Sequence, residues 1–158
     1  MTRNIWITSD THFGHTNIIQ YCDRPFANSE LMDECLIDNW NTVVKDEDII
    51  YHLGDVYMSS DKNHINYTLS RLKGRKRLIL GNHDGGKDKL LQTYFQKISM
   101  WIMFTEYGLL LTHVPVHESS LLRGAKGNTK RASKLLNVHG HIHNNPSPTK
   151  DHRCVCVE

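Results

Sequence analysis

The sequence predicts an α/β fold, and three observations predict it. Short apolar runs at Ile5, Trp6 and Ile7, at Ile49, Ile50 and Tyr51, and at Leu78, Ile79 and Leu80 are separated by longer stretches of three-and-four periodicity. That is the pattern of parallel strands joined by helices. Beyond Lys97 the intervening helices disappear and β-rich runs follow one another. Five of the apolar runs end in Asp, Asn or His. In an open α/β sheet the carboxyl ends of the strands are where sites are assembled, so these ends could converge on one spot.

The first run leads into Thr8-Ser9-Asp10-Thr11-His12-Phe13-Gly14-His15. Asp23-Arg24-Pro25 then keeps Arg24 out of a helix, because the residue before proline is pushed away from the α region. Asn28 or Ser29 caps a first long helix, whose apolar positions Met32, Cys35, Leu36, Trp40, Val43 and Val44 recur at three and four. Residues 45–48 form a polar turn, and the second strand leads through Leu53 into Gly54-Asp55. A second helix carries Ile65, Leu69 and Leu72 on one stripe and stops near Gly74. The third strand leads into Gly81-Asn82-His83-Asp84, where an amide, an imidazole and a carboxylate stand in succession, and a short helix follows over residues 87–94. The second half reads as strands over 98–105, 109–113, 135–138 and 154–157, an antiparallel half with a hairpin turn at Glu106-Tyr107-Gly108. Its strands deliver Thr112-His113 and His139-Gly140-His141-Ile142-His143. Residues 118–133, basic and glycine-bearing with Arg123, Lys126, Lys130 and Arg131, read as a mobile loop facing the substrate.

At 158 residues the chain is expected to be one domain, 1–158. No run is long enough to span a membrane, and no export signal precedes the first strand, which points to a cytoplasmic protein with its four cysteines reduced. Cys154 and Cys156 share one face of an extended segment and read as small buried hydrophobes. A net charge of +2 is too small to argue for general nucleic-acid binding. Eleven histidines are the one oddity of composition, and seven fall in or beside the strand-end sequences, which is a metal signature.

Asp10-x-His12, Gly54-Asp55, Gly81-Asn82-His83-Asp84, His113 and Gly140-His141-x-His143 resemble, in order, the motif series of the calcineurin-like metallophosphoesterases. The resemblance runs from Asp10 to His143. It implies a four-layer αββα sandwich of two mixed β-sheets flanked by helices, in a minimal version without a cap domain. It also implies two divalent metal ions, with Asp10, His12 and His143 on the first, Asn82, His113 and His141 on the second, and Asp55 bridging. A metal-bridging hydroxide would attack the phosphate ester, and His83 would assist the leaving group with Asp84 orienting it. Oxygen and imidazole ligands without thiolate suit manganese, iron, nickel or zinc and do not choose among them; manganese is the expected ion, with iron, nickel or zinc as alternatives.

Arg24 is a candidate for gripping a phosphate oxygen, since guanidinium matches phosphate with paired donors, and the bland alternative is a solvated surface arginine. His15 either hydrogen-bonds a substrate oxygen or locks its own loop; His52 and His139 read as supporting histidines, and His117 receives no ligand role. The main reading is therefore a phosphoesterase, with a phosphodiester, nucleotide-like in kind, ahead of a monoester. A catalytically dead binding scaffold would have lost ligands, and all seven positions are filled. A structural zinc domain would favour cysteine in a closed set of four. The sequence carries no indication of oligomeric state.

Overall fold

The computed structural model describes residues 3–123 and 133–158. The first half lays down β1 (Ile5–Thr8), α1 (Thr16–Tyr21), α2 (Ser29–Val43), β2 (Ile49–His52), α3 (Lys62–Arg71), β3 (Arg75–Ile79), α4 (Lys89–Tyr94) and β4 (Lys97–Ser99). These strands pair in the order β1-β2-β3-β4, parallel throughout. The second half adds β5 (Trp101–Phe104), β6 (Leu109–Thr112), β7 (Leu122–Arg123), β8 (Ser133–Lys134), β9 (Leu136–His139) and β10 (His152–Cys154). Its main sheet runs β10-β9-β6-β5, and β7 and β8 form a two-stranded ribbon.

The two four-stranded sheets face each other, as the alternation of side chains along each strand requires. Ile50 and Leu78 point into a core with Ile37 and Trp40 of α2, Ile65 and Leu69 of α3, and Leu91 of α4. Their neighbours Tyr51 and Ile79 point the other way and meet Leu111 and Val138 of the second sheet. Beyond that sheet, Leu110 and Leu135 are covered by Leu121 of a short 3₁₀ turn, Glu118–Leu121. Among the described residues no helix is long and apolar enough to cross a membrane.

Three of the four α-helices among the described residues, α2, α3 and α4, start at side-chain caps. Asn28 accepts from the backbone N–H of Leu31, and Asp61 and Asp88 each accept from two backbone N–H groups of the following turn. Three expectations need correction. The run over 98–105 is two strands in two different sheets, because the chain bends at the exposed Met100. The second half is not antiparallel as a whole: in its main sheet only β5 and β6 pair so, while β9 is parallel to both β6 and β10, and the small β7-β8 ribbon is antiparallel. The excursions from β6 to β9 and from β9 to β10 are long, which parallel pairing requires and hairpins do not. The expected loop over 118–133 opens as the ordered 3₁₀ turn and β7, with Leu121 fully buried, and ends in β8; Lys126, Lys130 and Arg131 lie outside the described residues.

Candidate metal centre

The five strand ends do converge. β1 delivers Asp10 and His12, β2 Asp55, β3 the loop from Gly81 to Asp84, β6 His113, and β9 His141 and His143. Backbone hydrogen bonds sew these loops together, from Asp10 N to Gly54 O at 2.9 Å, His12 N to Asp55 O at 3.1 Å, and Gly140 N to His113 O at 2.8 Å. Six described residues other than glycine have positive φ, and five of them are Asp10, His12, Asp55, His141 and His143. Left-handed backbone costs a non-glycine residue about 1–3 kcal/mol and persists only where its surroundings over-determine it. Close approach explains two of the glycines. A Cβ at Gly81 would lie 2.2 Å from Asp55 Oδ1, and one at Gly140 would lie 2.1 Å from Asp10 Oδ2.

Four groups of candidate ligand atoms lie together among the described residues; two of them, Asp10 with His12 and Asp55, and Asp55 with His113 and His141, share Asp55, while His143 groups with Asp10 and Cys156 and with Cys22 and Glu158. Asp55 Oδ2 stands 3.7 Å from His12 Nε2 and 3.5 Å from His113 Nε2, while its Oδ1 accepts the backbone N–H of His83 at 2.9 Å. Asn82 Oδ1 lies 2.8 Å from His113 Nε2 and 2.9 Å from His141 Nδ1. His143 Nε2 faces Asp10 Oδ1 at 3.7 Å. The other oxygen of Asp10 accepts from His141 N at 2.9 Å and from the Cys156 thiol at 3.3 Å.

These atoms fit a pair of cations. Asp10 Oδ1 and His12 Nε2 are buried without a hydrogen-bond partner among the described residues, and they stand 3.8 Å apart within the first cluster. A buried polar atom left unpaired costs about 1–3 kcal/mol, which a cation seated between them would remove. Protonation agrees: burial, outweighing the nearby Asp10, pushes the His12 imidazole down to about 3. Burial and then His113 lower His141 as well, so both rings offer lone pairs at neutral pH. His143 is raised instead, chiefly by its hydrogen bond to Glu158.

Beside the clusters lies a cleft of about 640 Å³, lined in part by His15, Tyr21, Asn82, His83, Asn144 and Asn145. The exposed His83 ring sits 5.8 Å from the His12 ring, centroid to centroid. His15 also lines the cleft, its Nδ1 3.4 Å from His12 Nδ1. Asp84 does not orient His83 as expected. Its carboxylate accepts the N–H groups of Asp55 at 2.8 Å, Val56 at 3.1 Å and Gly81 at 2.8 Å, and so braces one loop against the other.

Arg24 departs further from expectation. It is buried and does not line the cleft; its donors go to Asp10 O at 2.8 Å, Thr11 O at 2.9 Å, Met32 Sδ at 3.3 Å and Glu158 at 2.6 Å. A guanidinium so occupied has no fork left for phosphate. His52 bridges Thr11 Oγ1 and the backbone N–H of Gly54, His139 meets Gly140 O, and His117 turns away to Ser119. Glu158 received no role from the sequence, and Cys154 and Cys156, read there as small buried hydrophobes, are only partly buried, with the Cys156 thiol on Asp10. Period-two spacing puts Cys154, Cys156 and Glu158 on one face of an extended segment, a signal that was legible.

A family profile described as calcineurin-like phosphoesterase matches residues 3–154. The chain is 40% identical over 144 residues to an uncharacterized protein of Methanocaldococcus jannaschii, a match covering 90% of this chain and 71% of that protein. It is 32% identical over 163 residues to the gene 66 protein of Mycobacterium phage L5, covering 89% and 77% respectively. The crystal structure of a protein of unknown function from Aquifex aeolicus superposes with a TM-score of 0.70 at 28% identity, over 98% of this chain and 89% of that one.

Proposed function

The chain belongs to the calcineurin-like phosphoesterase family, and from that premise we propose that it hydrolyses a phosphodiester, nucleotide-like in kind, at a centre of two divalent metal ions. Asp10, His12 and His143 hold the first cation position, Asn82, His113 and His141 the second, and Asp55 serves both. The observation that carries this reading is Asp55 Oδ2, set 3.7 Å from His12 Nε2 and 3.5 Å from His113 Nε2, beside the partnerless Asp10 Oδ1. Divalent cations there, manganese by preference, supply Lewis acidity toward the phosphoryl oxygens and lower the pKa of a water for attack on phosphorus.

The chain's own residues do the rest. Asn82 contributes a neutral carbonyl oxygen and so adds no negative charge against the substrate. His83, exposed in the cleft and tied to Asp55 through its backbone N–H, presents an imidazole that holds a proton for the departing oxygen. Asp84 keeps that loop in register with Asp55 through its three N–H bonds.

The lining of the cleft supports a diester over a monoester. Among its described residues there is no Lys or Arg, while Asn17, Tyr21, Asn144 and Asn145 offer neutral hydrogen-bonding groups and Asp23 is acidic. Such a surface suits one negative charge better than the two of a monoester. The test is to reconstitute the protein with manganese and compare bis-para-nitrophenyl phosphate with para-nitrophenyl phosphate, followed by cyclic nucleotides. A higher kcat/KM for the diester is expected. A preference for the monoester would contradict the substrate assignment, and no hydrolysis of any ester by metal-loaded protein would favour the scaffold alternative.

A further inference from the structure

We infer that Glu158 is the positioning residue for His143, and that Arg24 acts through Glu158, so that the pair sets how tightly the first cation position holds its ion. Glu158 Oε1 lies 2.9 Å from His143 Nδ1, and the same oxygen receives Arg24 Nη2 at 2.6 Å and Nε at 3.0 Å. The side chains of Arg24 and Glu158 are only 4% and 8% exposed, so this is a buried ion pair. Arg24 is anchored in turn on the carbonyls of Asp10 and Thr11. One pair therefore ties the loop that carries Asp10 and His12 to the imidazole of His143.

The physical argument concerns the proton on His143. An imidazole binds a cation through an unprotonated nitrogen, so its other nitrogen must carry the hydrogen. A carboxylate accepting that hydrogen fixes the tautomer and the ring orientation and makes the ligating nitrogen more basic. Glu158 does this at Nδ1 and leaves Nε2 facing Asp10 Oδ1. The second position is supported differently, since His113 Nδ1 meets the neutral carbonyl of Leu53 at 2.8 Å. An anionic partner on one side and a neutral one on the other make the two positions unequal.

The inference rests on the reading that His143 belongs to the first cation position, and the experiment separates the two ideas. Nitrogen NMR of the metal-free protein near pH 8, above the ordinary imidazole range, reports where the His143 proton sits. The wild type is expected to carry it on Nδ1, and Glu158→Ala to show a mixture of tautomers. Manganese titration of the wild type is expected to resolve two binding events. Glu158→Ala should weaken one by about 10–100-fold and leave the other unchanged. Glu158→Gln keeps an acceptor for Arg24 and His143, protects the fold, and should weaken the same event by a smaller factor. Equal weakening of both events, wild-type affinity in both variants, or a proton on Nε2 in the wild type would overturn the inference. A wild type that binds no manganese would instead sink the metal centre, and the NMR result would still decide what Glu158 does.

Discussion

At the scale of single residues the account turns on which atoms are left without partners and which are fully occupied. Asp55 is shared by both ligand clusters, so Asp55→Asn should lower activity by more than the roughly 10–100-fold that loss of an outer partner costs, with secondary structure retained. Metal content and kcat of the purified variant check this. His83 lines the cleft and is exposed. His83→Ala should therefore cost about 10²–10⁴ in rate on esters with alkoxide leaving groups and much less on nitrophenyl esters, which depart without protonation. Equal losses on both would mean that His83 only places phosphate or supports the loop. His52 makes a prediction about stability: burial lowers its imidazole to about 4, against an ordinary value of 6.5. Between those values the unfolded chain binds a proton that the folded chain does not. Stability should thus fall as pH drops from 6.5 to about 4, with a slope of at most about 1.4 kcal/mol per pH unit from this group. Urea unfolding across that window should show a shallower slope in His52→Gln than in the wild type.

At the scale of elements, the site depends on strands whose loops approach more closely than any side chain allows. Gly140 is the sharpest case, because a Cβ there would lie 2.0 Å from Ser9 Oγ and 2.1 Å from Asp10 Oδ2. Gly140→Ala should displace the Asp10 carboxylate and cut manganese affinity, whereas Gly108→Ala, with nothing within 4 Å and φ of +66, should cost only turn strain of about 1–2 kcal/mol. Melting temperature and manganese titration of the two variants separate these effects. Much at this scale was legible in the sequence. The cap at Asn28, the helix stripe of Ile65 and Leu69, the hairpin turn at Gly108 and every strand that delivers a candidate ligand follow from local pattern. The bend at Met100 was not legible, since a run of β-forming residues says nothing about which of two sheets each half joins. Nor were the roles of Arg24 and Asp84. Each is decided by partners remote in sequence, Glu158 for the one and the Asp55 and Val56 backbone for the other. The left-handed backbone at five candidate ligands is likewise a product of how the loops brace one another, with no local sequence signal.

At the scale of the whole molecule, a parallel sheet and a mixed sheet stack so that five strand ends open on one edge, and the ordered motif series already implied that edge. The fold places Asp55 of the first sheet opposite His113 and His141 of the second, so cations held by both clusters would tie the two sheets together. Removing the cations with a chelator should lower the melting temperature, and excess manganese should restore it by the mass action of a ligand that binds only the folded state. The most direct measurement is a crystal structure of the manganese-loaded protein with anomalous diffraction, which locates the ions without assuming their ligands. Two peaks about 3.5–4 Å apart, with the Asp55 carboxylate between them, are predicted. A single peak, or two peaks that do not share Asp55, would contradict the account.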